Sequence, residues 1–289
     1  MQISVVVTCY NAHSTLSDTL ESVLAQTRPP ESIVVIDDGS DDDSAAIARR
    51  VAPQATIITQ TNQGVSAARN LGIKQTTGDV IAFLDDDDVW HPTKLERQAR
   101  LLERFPKLDL LATSWSRTYP TPKGTDTLRW VSYRDLTLIN QFQTSTVMLR
   151  TELAKKVAAF NSRLDAVEDW AYWINCAKVG TLAVLEDDLV LYRDSEDGVS
   201  KNLHRFWSRM SIMLNETNAM ELLEPSDRER ILAWHAQRMA IAAILDRDLA
   251  LLAPIALRAL RAQPSAHLRA LQSITVPFLR QRLRRRTSH

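Results

Sequence analysis

The fold class is decided by the stretch Val80-Ile81-Ala82-Phe83-Leu84-Asp85-Asp86-Asp87-Asp88-Val89-Trp90. Its first five residues are all apolar and are followed at once by four acids. A short, continuously apolar run bounded by polar residues is typical of a strand buried in a parallel sheet. The stretch therefore predicts a buried strand that ends in an acidic cluster.

Strands of this kind alternate with amphipathic helices over the first 110 residues. Residues 3–9 are nearly all apolar and mostly β-branched, and the helix after Asn11 has apolar residues at helical spacing, with Ser14 as its N-cap. The alternation predicts an α/β fold with a doubly wound, mostly parallel sheet. The other predicted strands are 33–36, 55–59, 146–149 and 182–192, and the other predicted helices are 44–51, 64–74, 93–104 and 167–178.

Polar residues follow three of these strands at the point where each strand ends. The clusters are Thr8 to Asn11, Asp37 to Ser40, and Asp85 to Asp88. Ligands of open α/β sheets bind at the carboxyl ends of the strands. We therefore expect the three clusters to meet in one ligand site.

Composition limits the class of protein. The 289 residues, 45% of them hydrophobic, are enough for a sizeable core with an extension. The 35 basic and 35 acidic residues balance, so no overall field favours nucleic acid as a partner. The chain has only two cysteines, which makes a disulfide framework unlikely in this interpretation. It has no apolar run long enough to span a membrane and no basic, signal-like N-terminus, so we expect a cytoplasmic protein.

The second half of the chain is less regular at first and then helical. Residues 113–144 are interpreted as an irregular insertion near the site, and the pattern from 204 to 261 is helical. Residues 268–283 mix apolar side chains with arginines, which suits an anionic membrane surface. Packing of that apolar face on the protein is the favoured alternative, because Pro277 interrupts it. No acid follows Asp248, and the arginines beyond it form a basic tail: Arg258, Arg261, Arg269, Arg280, Arg282, Arg284, Arg285 and Arg286.

The acidic cluster has two interpretations. Four adjacent carboxylates repel one another, and a divalent cation would compensate them; hard oxygen ligands suit Mg²⁺ or Mn²⁺. Asp85 and Asp87 point the same way if the segment is extended. The alternative is a solvated acidic turn that caps the next helix.

Asp38 and Arg69 are further candidates. Asp38 could accept a hydrogen bond from a ribose hydroxyl or a base, or it could simply form an Asp-Gly turn and cap a helix. Arg69 lies on the helix after Gly64. It could pair with aspartates or reach a nucleotide, or it could be a surface arginine.

The Glu168-Asp169 pair opens a predicted helix. Two acids there interact favourably with the helix dipole, which is a sufficient structural explanation. The functional interpretation is a general base that takes a proton from an acceptor hydroxyl. Trp170 and Trp173 beside the pair are expected in the core.

Together these motifs resemble family 2 glycosyltransferases, which have the GT-A fold. The resemblance is strong over about residues 1–105 and weaker up to Tyr192-Arg193. It implies a GT-A catalytic domain at 1–202, with a nucleotide-binding half at 1–105 and an acceptor-binding half at 106–202, and a helical extension with the basic tail at 203–289. It rests on Val5 to Asn11, Val35 to Ser40, Asn62 to Asn70, Gly78 to Trp90, Ser145 to Arg150, Phe160-Asn161 and Glu168 to Trp170.

The resemblance implies roles on the donor side. Thr8 and Tyr10 would line the base pocket, Asp38 would bind the base, and Arg69 would help to hold the nucleotide. The DxD motif corresponds to Asp85 and Asp87, of which Asp87 would be the direct metal ligand and Asp85 would lie near the ribose and the metal. Asp86, inside the motif, is counted with the donor-binding residues.

On the acceptor side the resemblance implies Asp169 as the catalytic base, in a pair with Glu168. It implies inversion at the anomeric carbon, a Mn²⁺ or Mg²⁺ cofactor, and a nucleotide diphosphate sugar as donor, with a UDP-sugar favoured. The acceptor would be a glycan or a lipid-linked hydroxyl in cell-surface polysaccharide or lipopolysaccharide synthesis. Peripheral contact with the inner face of the membrane is considered for the basic tail.

The sequence departs from the family pattern at three places. Ala171 and Asn175 stand where an acid and an arginine are common, Asp194-Ser195-Glu196 stands where a histidine is common, and Asp86 adds charge within the DxD motif. The absence of that arginine and that histidine supports an alternative, a catalytically silent nucleotide-sugar-binding or scaffold protein. A nucleotidyltransferase ranks last, because residues 9–14 contain no glycine and His13 is their only basic residue.

Overall fold

The computed structural model describes residues 1–193 and 202–259, together with residues 265, 270 and 271. It divides into two compact units, Met1–Leu136 with Asn140–Gly198, and Thr137–Ile139 with Val199–His289. The predicted domains at 1–202 and 203–289, and the two halves that meet at residue 105, stay predictions.

Some predictions fall on residues that the structure does not describe. Residues 194–196, one of the departures from the family pattern, lie outside the described part, as does almost all of 260–289. The interpretation of 268–283 as a membrane-binding or packing segment and the positions of the tail arginines therefore stay predictions.

The secondary structure follows the alternation of strands and helices that the sequence predicts. The helices are α1 (Leu16–Leu24), α2 (Ser44–Val51), α3 (Val65–Gln75), α4 (Lys94–Arg104), α5 (Tyr133–Leu138), α6 (Thr151–Lys156), α7 (Glu168–Val179), α8 (Leu203–Glu216), α9 (Pro225–Leu245) and α10 (Leu252–Ala259). The strands are β1 (Ile3–Cys9), β2 (Ser32–Asp37), β3 (Thr56–Thr59), β4 (Val80–Asp85), β5 (Val89–Trp90), β6 (Leu110–Ser116), β7 (Leu128–Val131), β8 (Met148–Arg150) and β9 (Leu182–Leu191).

One mixed, mostly parallel sheet contains these strands in the order β3-β2-β1-β4-β8-β6-β9-β5, with β7 paired to β9. The pairs β1–β2, β1–β4, β2–β3 and β6–β9 are parallel. Strand β8 is antiparallel to both β4 and β6, so β6 and β9 run in the same direction as β1 and β4. The predicted α/β class with a mostly parallel sheet is confirmed, and helices follow the sheet at the C-terminus as expected.

Strand β1 is buried throughout because helices cover both of its faces. Val5 and Val7 join a buried cluster with Leu16 of α1, whereas Val6 faces α3. A Cβ on Gly72 of α3 would lie 2.3 Å from Val6 Cγ1, so glycine allows this close approach. Full burial of each such side chain contributes about 1.5–3 kcal/mol, which makes β1 the centre of the core.

The common strand direction places the polar clusters at one edge of the sheet. In the register of β1, Thr8 lies opposite Asp85 of β4 and Cys9 lies opposite Asp37 of β2. Strands β6 and β9 end at the same edge, which is called the carboxyl edge below. The sequence prediction that ligand-type residues collect there is consistent with this topology.

Two details differ from the sequence expectations. Helix α1 begins at Leu16 with Thr15 as its N-cap, not Ser14, because the Ala12 carbonyl accepts hydrogen bonds from both Thr15 N and Leu16 N and a turn precedes the helix. The predicted strand 146–149 begins only at Met148, since residues 144–146 form a 3₁₀ turn.

Residues 113–144 are more regular than the predicted insertion, because β6 extends into them and β7 and α5 follow. The segment between β6 and β7 is held by the carboxylate of Asp187 on β9. This carboxylate accepts from the backbone N–H groups of Lys123 and Gly124 and from Arg97 Nη1, each at 2.7 Å. Local patterning misses these elements because β7 is a short edge strand whose partner lies far along the chain.

The second unit contains α8, α9 and α10 with the short segment Thr137–Ile139. Trp234 of α9 is buried and its Nε1–H donates to the Leu138 carbonyl at 3.1 Å. His235 contacts the Thr137 carbonyl through Nε2 at 2.8 Å, and burial, with the nearby Arg238 charge, lowers the pKa of His235 to about 3. No helix in the described residues is long and apolar enough to cross a membrane.

Candidate active site

The acidic loop, residues Asp85 to Asp88, follows β4 at the carboxyl edge. Its carboxylates are held from different elements. Asp86 Oδ2 accepts from the Tyr10 backbone N–H at 2.9 Å, and Asp88 Oδ1 accepts from the Arg193 backbone N–H at 3.0 Å. The loop is thereby fixed to the ends of β1 and β9.

Three carboxyl groups of this loop hold protons more tightly than usual. Burial raises the pKa of Asp86 to about 7, and the neighbouring charges of Asp87 and Asp85 add to the effect. Burial and the Asp85 charge raise the pKa of Asp87 to about 6. Burial and the Asp87 charge raise the pKa of Asp88 to about 8. Crowded, poorly solvated carboxylates of this kind would be stabilised by a cation.

The residues present suit a divalent cation whose remaining ligands are supplied by a bound substrate. Asp88 Oδ2 is buried without a hydrogen-bond partner, so the loop contains unsatisfied acceptor capacity. No group of three or more histidine, cysteine or acidic side chains in the described residues could hold a metal by itself. Magnesium-type sites commonly use one or two carboxylates and complete the shell with phosphate oxygens and water.

Arg69 of α3 joins the acidic loop to the start of α7. Its Nη2 donates to Asp85 Oδ1 at 2.8 Å and its Nη1 donates to Glu168 Oε1 at 2.9 Å, and its guanidinium lies 5.5 Å from the centre of the Phe160 ring. Only 5% of Arg69 is exposed, so it is not the surface arginine that the sequence left open. Despite burial, the charges of Asp85 and Glu168 raise the pKa of Arg69 further. The guanidinium therefore stays charged and offsets two acids of the site.

Asp38, at the end of β2, is buried and holds the loop before α3. One carboxylate oxygen accepts from Gln60 Nε2 at 2.6 Å and from the Gln63 backbone N–H at 2.9 Å, and the other accepts from the Gly64 N–H at 2.7 Å. Gly64 has a φ of 84°, a conformation that glycine adopts without strain. Asp38 thus fixes the loop before α3 at the carboxyl edge, and its contact with a base stays a prediction.

Thr8 and Tyr10 lie on either side of the end of β1. Thr8 is buried, and its Oγ1 is 3.5 Å from Asp85 Oδ1, whereas the Tyr10 side chain is 46% exposed. An exposed tyrosine ring at the carboxyl edge is available to a planar base, while Thr8 supports the acidic loop. Their roles in the base pocket stay predictions.

Glu168 and Asp169 are adjacent in sequence but differ in surroundings. Glu168 is buried against Arg69, while Asp169 is partly exposed and its Oδ2 accepts from Asn140 Nδ2 at 2.9 Å. Although part of the residue surface is exposed, the carboxyl group itself is poorly solvated. This desolvation and the Glu168 charge raise the pKa of Asp169 to about 7, against the opposing charge of Arg69. A carboxylate with a pKa near neutrality suits proton transfer, so Asp169 is the better placed base of the two.

The structure gives roles to residues to which the sequence analysis assigned none. Asn140, which orients Asp169, had no sequence signal. Ser145 Oγ accepts from the Asp85 backbone N–H at 3.1 Å, and its carbonyl accepts from Trp90 Nε1 at 2.8 Å. Arg193 was noted only as part of the Tyr192-Arg193 pair, and in the structure its backbone N–H holds Asp88. Its positive charge also lowers the pKa of Asp87, which partly offsets the increase caused by burial and by the Asp85 charge. Its guanidinium also donates to Asp18 Oδ2 at 2.7 Å.

The tryptophans of α7 belong to the core, as expected. Trp170 and Trp173 are 2% and 0% exposed, and the Trp170 indole N–H donates to the Leu136 carbonyl at 2.5 Å. Neither ring is available to a substrate sugar. Their function is to fix the helix that presents Asp169.

Comparison with known proteins identifies relatives of this chain. Residues 4–154 match the family described as Glycosyl transferase family 2. An uncharacterized glycosyltransferase, alr2836, of Nostoc sp. (strain PCC 7120 / SAG 25.82 / UTEX 2576) is 34% identical over 216 residues, which cover 67% of this chain and 65% of the relative. The putative teichuronic acid biosynthesis glycosyltransferase TuaG of Bacillus subtilis (strain 168) is 28% identical over 211 residues, 69% of this chain and 82% of the relative.

Solved structures share the fold. The S. aureus TarS 1–349 structure in complex with UDP-GlcNAc superposes with a TM-score of 0.63 at 23% identity, covering 81% of this chain and 71% of TarS. Glucosyl-3-phosphoglycerate synthase from Mycobacterium tuberculosis, in complex with Mg²⁺ and UDP, gives a TM-score of 0.57 at 17% identity, covering 78% of this chain and 81% of the synthase. Because the family match covers more than half of the chain, the chain belongs to glycosyl transferase family 2 and is a glycosyltransferase with the GT-A fold.

Proposed function

We propose that this protein is an inverting glycosyltransferase that moves a sugar from a UDP-sugar to a hydroxyl of a glycan or a lipid-linked acceptor. The observation that carries the proposal is the buried Arg69 bridge. One guanidinium joins Asp85 of the acidic loop to Glu168, the neighbour of Asp169. A candidate diphosphate-and-metal site and a candidate base are thereby brought together at the carboxyl edge of the sheet.

The donor would lie over the ends of β1, β2 and β4. Tyr10 offers an exposed ring to the base, and the loop that Asp38 holds forms the neighbouring wall. The TarS structure that shares this fold contains UDP-GlcNAc, which supports a UDP-sugar as the donor class.

A Mg²⁺ or Mn²⁺ ion would be held by Asp87 and Asp85, with the donor diphosphate completing its ligands. When bound, such an ion neutralises the negative charge that develops on the leaving UDP. Asp86 and Asp88 would keep the loop in place through their bonds to the backbone of Tyr10 and Arg193.

The acceptor hydroxyl would be activated by Asp169. Its carboxylate takes the hydroxyl proton while the acceptor oxygen forms a bond to the anomeric carbon and the bond from that carbon to the UDP oxygen breaks. Attack opposite the leaving group inverts the anomeric centre. Asn140 holds Asp169 for this step, and Glu168 is engaged by Arg69 and cannot serve as the base in the same geometry.

We place this activity in cell-surface polysaccharide or lipopolysaccharide synthesis, on the cytoplasmic side. The relative TuaG, whose name assigns it to teichuronic acid biosynthesis, supports a surface polysaccharide. For a lipid-linked acceptor, contact of the arginine-rich C-terminal sequence with an anionic membrane surface is the alternative to packing of residues 268–283 on the protein.

The test is a donor screen followed by a turnover measurement. Thermal unfolding is recorded with UDP, GDP and UDP-sugars, each with Mn²⁺, Mg²⁺ or EDTA, because a ligand that binds the native state raises its melting temperature. We expect a metal-dependent shift with UDP that Asp87→Ala abolishes. Asp246→Ala, an exposed acid on the second unit, is the matched control and should keep the full shift.

Turnover separates an enzyme from a silent binding protein. Release of UDP from the donor that binds should be measurable in the wild type, by slow transfer to water or faster transfer to added acceptor. Metal-dependent UDP binding without any release would favour the silent scaffold. Absence of a shift with every nucleotide would refute the proposed donor site.

A further inference from the structure

Two aromatic rings meet at the carboxyl edge and have no part in the mechanism above. Trp115, near the end of β6, is 37% exposed, and Tyr192, directly after β9, is partly exposed. Their ring centroids are 5.1 Å apart with the planes inclined at 55°, and the Tyr192 backbone N–H donates to the Ser116 carbonyl at 2.8 Å. Trp115 and Tyr192 are called the aromatic pair below.

The strand order places the aromatic pair away from the nucleotide side. The candidate donor residues stand at the ends of β1, β2 and β4, whereas β6 and β9 lie on the other side of β4, beyond β8. All of these strands end at the same edge. A molecule that contacts the aromatic pair would therefore approach the acidic loop from the side opposite the nucleotide.

The aromatic pair is also tied directly to the acidic loop. Arg193 follows Tyr192, and its backbone N–H holds Asp88 Oδ1 at 3.0 Å. Its guanidinium donates to Asp18 of α1 at 2.7 Å. Apolar ring faces at a sheet edge that also carries polar groups are typical of specific small-molecule sites.

We propose that the aromatic pair binds a sugar ring of the acceptor glycan and so sets acceptor specificity. A pyranose presents one face of C–H bonds, which packs on an aromatic ring, and a rim of hydroxyls, which suits the polar groups around it. This assignment rests on the proposed transferase function, because an acceptor subsite needs a transfer reaction. It goes further by naming a carbohydrate ring, not a lipid or a simple alcohol, as the part of the acceptor that is recognised.

The test uses a printed array of bacterial polysaccharide fragments, oligosaccharides and glycolipid headgroups, probed with labelled full-length protein in the presence of UDP and Mn²⁺. The wild type should bind at least one glycan, and Trp115→Ala should weaken that binding roughly tenfold or more, the usual cost of truncating a central aromatic contact. Trp115→Phe, which keeps a ring, should restore part of it.

Trp130→Ala is the matched control. Trp130 is 53% exposed, but it pairs with Ala183 near the start of β9, at the opposite end of the strand and roughly 30 Å from Tyr192 at about 3.3 Å per residue. It should bind glycans like the wild type. Equal binding by Trp115→Ala and the wild type would overturn the proposal.

The UDP-dependent thermal shift of the same preparations separates this proposal from the proposed function. Wild-type protein that shows the shift but binds no glycan would overturn the aromatic pair as a sugar site and leave the donor site standing. Wild-type protein without the shift would refute the proposed donor site whatever the array shows. Trp115→Ala should keep the full shift, because the aromatic pair lies outside the donor residues.

Discussion

The sharpest prediction concerns Arg69, changed to methionine. Methionine keeps an unbranched apolar stem about as long as the methylene part of arginine, but it removes the guanidinium, including its contact with the Phe160 ring. Glu168 then loses its 2.9 Å partner and Asp85 loses its 2.8 Å partner. Since Glu168 is only 8% exposed, water cannot replace the lost bonds well.

The magnitude follows from this burial. Removing one partner of a buried ion pair costs about 3–5 kcal/mol, because the other charge stays buried and uncompensated. For a unit of this size each kcal/mol lowers the melting temperature by about 2–4 °C. We therefore expect Arg69→Met to melt roughly 6–20 °C below the wild type.

Thermal unfolding followed by circular dichroism in metal-free buffer measures the difference. Arg100→Met is the matched control: Arg100 is 58% exposed and pairs with Asp126, so its loss should cost at most about 1 kcal/mol. The double variant Arg69→Met/Glu168→Gln should recover part of the loss, since it removes the stranded charge. If Arg69→Met melted within 2 °C of Arg100→Met, the bridge would have no stabilising role and the reasoning would fail.

Three other changes have defined outcomes. The pKa of Asp169 is raised to about 7, chiefly by burial and then by Glu168, so kcat/KM should fall about tenfold per pH unit below 7. A flat pH profile would contradict this. Asp169→Asn should bind UDP normally and transfer almost nothing. At pH 8 this variant should also melt above the wild type, because the fold disfavours the ionised acid above its raised pKa. Gly72→Ala should lower the free energy of unfolding, measured by chemical denaturation, by about 1–3 kcal/mol, because its Cβ would lie 2.3 Å from Val6 Cγ1. An unchanged denaturation midpoint would argue against that close contact. Asp187→Ala removes the carboxylate that accepts from Lys123 and Gly124, so trypsin should cleave the segment between β6 and β7 in the native state. If the variant resisted trypsin as well as the wild type does, other contacts would hold the segment.

The hydrogen-bond partners of Asp38 could not be predicted from the local sequence. The sequence left open a base ligand or a turn that caps a helix. The structure shows a third arrangement, in which the carboxylate holds the N–H groups of Gln63 and Gly64, 25 and 26 residues away. A turn motif indicates that a polar side chain is needed, but its partners depend on which loop packs against it.

The sequence alone predicted most strands and helices of the first 104 residues and the edge at which ligand-type residues collect, but it did not predict β5, β6, β7, α5 or α6. Runs such as residues 3–9 and 80–84 are apolar enough to require burial on both faces, and that property is local. The acids after Leu84 and at the start of α7 could be named as candidate site residues. Their roles stay predictions, because an acidic turn or a favourable helix dipole also accounts for them locally. The order of the family motifs then predicted the GT-A fold, and the family match confirmed it.

Which of these residues meet depends on the tertiary structure. Arg69 and Glu168 are 99 residues apart, and Trp115 reaches Tyr192 through the pairing of β6 with β9. The strand order β4-β8-β6-β9 is not the chain order, so no periodicity along the sequence encodes these contacts. Which distant segments pair depends on the packing of the whole core, because each apolar surface could be buried against several others and only the complete fold buries all of them together.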